Sequence, residues 1–369
     1  MTATNTMPTA FRCNDGHVLP LRTGPNPFET VDPEVKAKLP EGSEVISITP
    51  HGSSFCSQTA RLETRLPDGT IKDFSLKVAE FESGYSMMRG EFASMSTLYS
   101  ITPDFVPKPY AWGTYQSNSR FHFFLCDFHN MTEEPPEIES FTTAVARLHK
   151  ASIPFSPSKF GFDVPTHIGS IPQDNTWCDT WEEFFRRGMA RILEREELVH
   201  GPDPKLKALS TQLYEKVIPR LLRPLTVLKS IKPVLVHGDL RYGNCRTDNA
   251  TGKPIMFDAC VFWAHNEYDV AAWRVPHYRF GKTYIKAYQE FFPIAEPEED
   301  HDDRNALYSI RFDLHSSIAC SSSLRFRQDA METMEYLVNK YPRGYDGWEE
   351  KYKVSRKGKS GDRSLGRGV

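Results

Sequence analysis

An aspartate and an asparagine stand five positions apart in His237-Gly-Asp-Leu-Arg-Tyr-Gly-Asn244, directly after the apolar run Pro233-Val-Leu-Val236. A second apolar run, Ile255-Met-Phe257, ends on Asp258. Phosphoryl transfer asks for such a set. One carboxylate must orient and deprotonate an acceptor hydroxyl, while an amide and a second carboxylate hold Mg²⁺ on a triphosphate. An H-x-D-x-x-x-x-N loop followed by a strand-terminal Asp has that spacing, and it makes Asp239 the catalytic base and Asn244 and Asp258 the metal ligands. A His-Gly-Asp turn after a strand is by itself an ordinary Asp-capped loop. Asn244 and Asp258, at these offsets, separate the two readings.

Such chemistry also needs a cation for the phosphates and a carboxylate to hold that cation. The segment Ile71-Lys-Asp-Phe-Ser-Leu-Lys77-Val-Ala79 reads as a strand entered through an Asp68-Gly69 hairpin turn, with Lys77 between apolar neighbours. Downstream, Met88, Phe92, Met95 and Tyr99 recur with the period of an amphipathic helix, and Glu91 near its start can reach back to Lys77. Taken singly, a Lys and a Glu are surface charges; their order ahead of the Asp-Asn-Asp set gives them a role. No G-x-G-x-x-G or Walker loop precedes them. Instead a strand, Glu44–Thr49, runs into Pro50-His-Gly-Ser-Ser-Phe-Cys56, where Gly52, Ser53 and Ser54 can offer backbone N–H groups and hydroxyls to phosphate oxygens. Alone, that segment is a polar hairpin turn.

These residues resemble a known family. From about Glu44 to Gly347 the chain is similar to the fructosamine (ketosamine 3-) kinases, in a fungal branch, relatives of aminoglycoside and choline kinases. The blocks that carry the resemblance are Pro-His-Gly-Ser-Ser-Phe at 50–55, Phe-Val-Pro-Lys-Pro at 105–109, Trp-Glu-Glu-Phe-Phe at 181–185, Val-His-Gly-Asp-Leu at 236–240 and Phe-Asp-Ala-Cys-Val-Phe-Trp-Ala-His-Asn-Glu at 257–267. The resemblance implies an α+β, bilobal protein-kinase-like fold, with an antiparallel-sheet N-lobe and a mainly helical C-lobe. It implies ATP and Mg²⁺ as cofactors, and phosphorylation of the 3-hydroxyl of a ribulosamine or fructosamine, free or on a protein lysine, so that the unstable 3-phosphate adduct falls off. It also implies that Phe123-Phe-Leu-Cys-Asp-Phe128 is the hinge, placing Cys126 and Phe128 at the adenine.

Two positions depart from the family pattern. Where relatives carry Trp after H-G-D-L, this chain has Arg241, which either faces the acceptor and favours anionic ketosamines or pairs with an acidic neighbour. Where they read Gly-His-Arg-Glu, this chain has Ala264-His-Asn-Glu267. Arg241 keeps open a kinase of the same fold acting on an aminoglycoside, an amino alcohol or a secondary metabolite. A non-catalytic nucleotide-binding protein is the third reading, opposed by the presence of Lys77, Asp239, Asn244 and Asp258. Some relatives link subunits through an oxidised loop cysteine; here that position aligns closer to Ser54, and Cys56 on the next strand is the candidate for a homodimer.

The elements needed to position these groups fit the chain. Its 369 residues suffice for a bilobal protein with substantial cores. Residues 1–43 read as an extension with one short helix around Pro33–Leu39, 44–125 as the N-lobe, 126–351 as the C-lobe, and 352–369 as a basic disordered tail. Helices are expected over a stripe ending at His149, over the Trp181 to Leu193 stripe, and near 281–292, 302–319 and 328–340. The aromatics of Phe257–Trp263 and Tyr268–Trp273 are expected in the core. A net charge of −3 implies no general attraction to nucleic acid, and no apolar run is long enough to span a membrane. Seven cysteines without a C-x-x-C pair, and an N-terminus without a secretory pattern, point to a reducing compartment, the cytoplasm.

Overall fold

The structure is a computed structural model that describes residues 25–53 and 56–361. Its N-terminal part is a five-stranded antiparallel sheet in the order β1-β2-β3-β5-β4. The strands are β1 (Glu44–Ser53), β2 (Ser57–Arg65), β3 (Ile71–Glu80), β4 (Pro109–Thr114) and β5 (Phe121–Asp127). β3 is central, and its alternation divides the lobe. Phe74, Leu76 and Val78 point into one core with Ala60, Leu62, Phe123 and Leu125. Lys77 belongs to the opposite face, paired in register with Thr59 on β2 and Phe124 on β5. That opposite face is covered by α2 (Phe81–Ile101), through Met88, Met95 and Leu98.

The outer core has a lid that precedes the sheet. α1 (Pro33–Lys36) starts on Asp32, whose carboxylate accepts from Glu34 N at 2.9 Å, and Pro33 opens the helix where no N–H is needed. The same carboxylate accepts from the Gln116 and Ser117 amides, both at 2.9 Å, and so ties α1 to the loop after β4. Phe28, Val31, Val35 and Leu39 are buried against the sheet.

Two expectations change here. β1 continues through Pro50 to Ser53, with Gly52 paired to Thr59 and Ser53 to Gln58, so both are strand residues and the turn begins only after them. Proline is tolerated because β1 is an edge strand, and a bulge between Pro50 and Gly52 absorbs the missing donor. Glu91 lies mid-helix rather than near a start, because α2 begins at Phe81 ahead of a Ser-Gly pair that reads as a turn. Ser54 lies outside the described residues.

The remainder is mainly helical. α3 (Ile138–Ser152) leads through a small hairpin, β6 (His167–Ile168) and β7 (Ile171–Pro172), to α4 (Trp181–His200). Next come α5 (Pro204–Gln212) and α6 (Ile218–Val227), joined by a π-turn over Leu213–Val217. This helical stretch was not evident from sequence, since Pro219 and Pro224 interrupt its pattern. Two short antiparallel pairs carry the chemistry: β8 (Val234–Val236) with β11 (Phe262–Ala264), and β9 (Cys245–Thr247) with β10 (Pro254–Met256). Then follow α7 (Glu267–Ala271), α8 (Lys282–Phe291), α9 (His301–Ala319), α10 (Arg325–Lys340) and α11 (Gly344–Gly361).

α11 passes Tyr352, where a disordered tail was expected, and carries helix to Gly361. A Glu349–Lys353 pair at 2.9 Å and stacking of Trp348 on Tyr352 support that turn. The aromatic segments expected in the core are there: Trp181, Phe262, Tyr268, Trp273 and Tyr308 are fully buried, and Trp181 Nε1 donates to Tyr308 Oη at 2.7 Å. Among the described residues no helix is long and apolar enough to cross a membrane.

Candidate active site

Lys77 is the junction between the lobes. Its Nζ lies 2.7 Å from Glu91 Oε2 on α2 and 2.9 Å from Asp258 Oδ1, just past β10. Burial works against the ammonium charge, but Asp258 and Glu91 outweigh it and hold Lys77 well above its ordinary value. The same burial, with Asp258 adding, pushes the Glu91 carboxyl up against the pull of Lys77. Burial also opposes ionisation of Asp258, yet Lys77 and then Arg241 hold its carboxyl below the usual value. The stable arrangement is thus an ionised Asp258 facing a charged Lys77. Asp258 reaches this place from a left-handed backbone, φ 58°, a conformation that Asp tolerates better than bulkier residues and that is found at strained functional positions.

Beside Lys77 a cavity of about 210 Å³ opens between the sheet and the C-lobe. Gly52, Cys126, Phe128 and Asp258 are on its wall. The Phe128 amide already donates to Asp73 O at 3.2 Å, so only its carbonyl and ring remain for a base. That ring packs edge-on against His51, 4.8 Å between centroids, and lies under the Arg61 guanidinium.

The loop after β8 is held by its backbone. Gly238 has φ 87°, and a Cβ there would stand 2.4 Å from Cys260 O, so only glycine permits the turn. His237 Nε2 contacts Phe257 O at 2.9 Å, and His237 Nδ1 accepts from Asp239 N at 3.3 Å. Asn244 Nδ2 donates both to Asp239 O and to Asp239 Oδ2 at 2.8 Å. Arg241 Nε stands 3.2 Å from the same Oδ2, and its guanidinium lies 5.8 Å from the Tyr278 ring centroid. Of the two orientations open to Arg241, the structure has the pairing with an acidic neighbour, and that neighbour is Asp239. The second oxygen, Asp239 Oδ1, is buried and has no hydrogen-bond partner among the described residues.

The donor set suits Mg²⁺. That ion takes hard oxygen ligands and commonly only one or two protein carboxylates, completing its shell with water and substrate phosphate. Asp258 offers a carboxylate, and Asn244, its Nδ2 committed to Asp239, offers its amide oxygen. Among the described residues no group of three His, Cys, Asp or Glu side chains is placed to hold a metal ion.

The fructosamine kinase family profile matches residues 44–340. The chain belongs to that family. It is 27% identical over 261 residues to the chloroplastic protein-ribulosamine 3-kinase of Arabidopsis thaliana, covering 68% of this chain and 74% of that one. It is 38% identical over 114 residues to the ketosamine-3-kinase of Mus musculus, covering 31% of this chain and 34% of the mouse protein. A structure assigned as a fructosamine-3-kinase, from Thermobifida fusca, superposes with a TM-score of 0.63 at 22% identity, over 81% of this chain and 95% of that one. An aminoglycoside phosphotransferase in ternary complex with AMP-PNP and hygromycin B shares the fold, with a TM-score of 0.54 at 14% identity, over 80% and 94% of the two chains.

In this fructosamine kinase one functional residue escaped the sequence reading. Asp269, on α7, is fully buried and accepts from the His237 and Gly238 amides at 2.7 and 2.9 Å. It also meets His149 Nε2 on α3 at 3.2 Å. One carboxylate thereby fixes the start of the loop that carries Asp239. Its signal was present: an acid inside the otherwise apolar run Tyr268-Asp-Val-Ala-Ala-Trp273. Glu267 has a structural task, a two-point pair with Arg304 at 2.8 and 2.9 Å; against burial, His265 and Arg304 hold its carboxyl down at about 2.

Proposed function

We propose that this protein transfers the γ-phosphoryl group of ATP to the 3-hydroxyl of a ketosamine, a ribulosamine or fructosamine. The observation that carries the reading is the state of Asp239. One of its oxygens is fixed by Asn244 and Arg241, and the other is buried and unanswered. Leaving such an acceptor unmatched costs about 1–3 kcal/mol, which a substrate hydroxyl would recover by donating to it. From there Asp239 takes the proton as the hydroxyl oxygen attacks phosphorus and the β–γ bridging bond breaks to release ADP. Lys77, held by Glu91, answers phosphate charge, and Gly52 stands on the β1 side of the nucleotide cavity, next in sequence to Ser53 and Ser54. Mg²⁺, held by Asn244 and Asp258, supplies neutralisation of the phosphate oxygens when bound.

The relatives' names, ribulosamine and ketosamine kinases, support this acceptor class, and the first of them supports extending it to glycated protein lysines. We place the protein in the cytoplasm; buried Cys126, Cys178, Cys245 and Cys260 remain thiols, which suits a reducing compartment. For the homodimer, a covalent species on a non-reducing gel that disappears in Cys56→Ser is the expected result; a dimer surviving that change rules the site out.

The deciding experiment offers ATP with ribulosyl and fructosyl amines, a glycated protein and a set of aminoglycosides, following ADP release and locating product phosphate by ³¹P NMR. Phosphate on C3 of a ketosamine supports the proposal. Turnover confined to aminoglycosides, or nucleotide binding without turnover, overturns it.

A further inference from the structure

The two carboxylates on Lys77 come from different lobes, and one buried hydroxyl joins the elements that carry them. Ser94 lies on α2, three residues beyond Glu91, and is fully buried. Its Oγ donates to Gly90 O at 2.7 Å and accepts from the Val261 amide at 3.2 Å. Val261 stands three residues after Asp258 and directly before β11. The hydrogen bond therefore closes a short circuit through Glu91, Ser94, Val261 and Asp258, with Lys77 Nζ between its two ends.

The same turn of α2 is seated on the C-lobe by shape. A Cβ on Gly90 would stand 2.5 Å from Pro165 O and 3.2 Å from the Thr166 Cα, so the helix backbone lies against that segment. The C-lobe end of the tie is itself fixed. Cys260, next to Val261, donates its amide to His237 O at 2.9 Å. Its carbonyl accepts from Gln173 Nε2 at 3.1 Å and from Thr166 Oγ1 at 3.3 Å. Arg311 Nη2 holds Gln173 Oε1 in turn at 3.0 Å. Towards the sheet, by contrast, α2 presents Met88, Met95 and Leu98, and apolar packing has no preferred direction. The bond to Ser94 is directional and fixes the helix along its axis.

We propose that Ser94 is a positioning residue that sets the separation of Glu91 from Asp258 and so aims Lys77 at the nucleotide phosphates. The inference rests on the kinase reading and deepens its nucleotide side. Two carboxylates that share one ammonium repel each other, most of all when the ammonium turns its charge to a phosphate. Apolar packing alone would let α2 yield at that moment. The tie from Ser94 to Val261 keeps Glu91 in place.

The test begins with Ser94→Ala, which removes the acceptor and little volume. Alanine favours the helix, so the variant should fold, with a lower Tm from the unanswered Val261 amide. A 1 Å misplacement can cost about a hundredfold, and the smaller shift expected here should raise the Kd for Mg·AMP-PNP about tenfold. The KM for the ketosamine should stay near wild type. Ser94→Cys keeps a weak acceptor at the same position, so its Kd should fall between those of wild type and Ser94→Ala. Coupling supplies the readout that a structural role would not move. On a Glu91→Gln background Ser94→Ala should add little, because the carboxylate it positions is already gone. On an Asp239→Asn background it should cost the full factor. A Kd unchanged by either substitution at Ser94, or raised equally on the two backgrounds, overturns the inference and leaves the kinase assignment standing. A wild type that binds no Mg·AMP-PNP removes the kinase reading itself.

Discussion

The two sides of the cleft differ in how completely their charges are answered. On the nucleotide side Lys77 has carboxylates at 2.7 and 2.9 Å, contributed by Glu91 of α2 and by Asp258 just past β10, before any ligand arrives. On the other side, among the described residues, Asp239 Oδ1 is buried without a hydrogen-bond partner. One half is preorganised by the protein's own charges, while the other holds a polar atom that a substrate hydroxyl would complete. A kinase that uses one nucleotide but must select an acceptor can be expected to divide its polar groups in this way.

The sharpest way to break the contrast is Asp239→Asn. kcat should fall about 10²–10⁴-fold, the usual contribution of a general base, while calorimetric binding of Mg·AMP-PNP stays near wild type. Equal loss of nucleotide binding would mean that Asp239 belongs to the preorganised half. Lys77→Met comes next. It leaves Glu91 and Asp258 adjacent with no cation between them, so affinity for the nucleotide should drop about ten- to a hundredfold, with a lower Tm. A variant of unchanged Tm and unchanged nucleotide affinity would show that the trio is incidental.

Asp258→Asn keeps the Lys77–Glu91 pair but removes a charged oxygen from the metal side. Half-maximal activity should then require several-fold more Mg²⁺, on the order of tenfold. Retained wild-type Mg²⁺ dependence would exclude Asp258 as a ligand.

A buried acid of the C-lobe can also be read through stability. Burial and then Asp329 push the Asp313 carboxyl from 3.8 up to about 8. A group raised in this way stabilises the fold fully below its ordinary value, and that contribution is lost as pH rises through about 8. The wild-type Tm should therefore sag as pH rises from about 4 to about 8 and level off above, and Asp313→Asn should flatten that part of the curve. Parallel curves for the two proteins would show that the Asp313 carboxyl is not raised. The smallest effect is expected at Arg241. Because its guanidinium is committed to Asp239 and Tyr278, Arg241→Trp should shift preference between acidic and basic ketosamines by less than about fivefold, the range of a partly exposed ion pair. A larger shift would put its charge against the acceptor after all.

How much of this was legible in the sequence depended on whether chemistry or packing dictates the residue. Lys77, Glu91, Asp239, Asn244 and Asp258 stood out because phosphoryl transfer constrains residue types and spacing, and the structure brings Lys77, Glu91 and Asp258 together, while the fold class came from the family resemblance. The end of β1 was misplaced because Pro50 looks like a terminator until the strand is known to lie at an edge. α5 and α6 were hidden by their prolines. Asp269 and Asp313 were missed for a common reason. A single acid in a helix reads as a solvent-facing position, and only the packing of α7 and α9 on all sides reveals that these two are enclosed.

The lid formed by α1 has a consequence for where this protein begins. The match to the fructosamine kinase family starts at Glu44, but the mechanical unit starts earlier, with Phe28, Val31, Val35 and Leu39 on the sheet and Asp32 latched to Gln116 and Ser117. A chain shortened to the matched range would uncover Phe74, Leu76 and Val78. These side chains alternate along β3 with Lys77. Wetting one face of that strand loosens the footing of the cation on the other, so an insult on the far side of the sheet would be felt at the triphosphate. The family match and the mechanics draw different borders here, and Lys77 depends on the wider one.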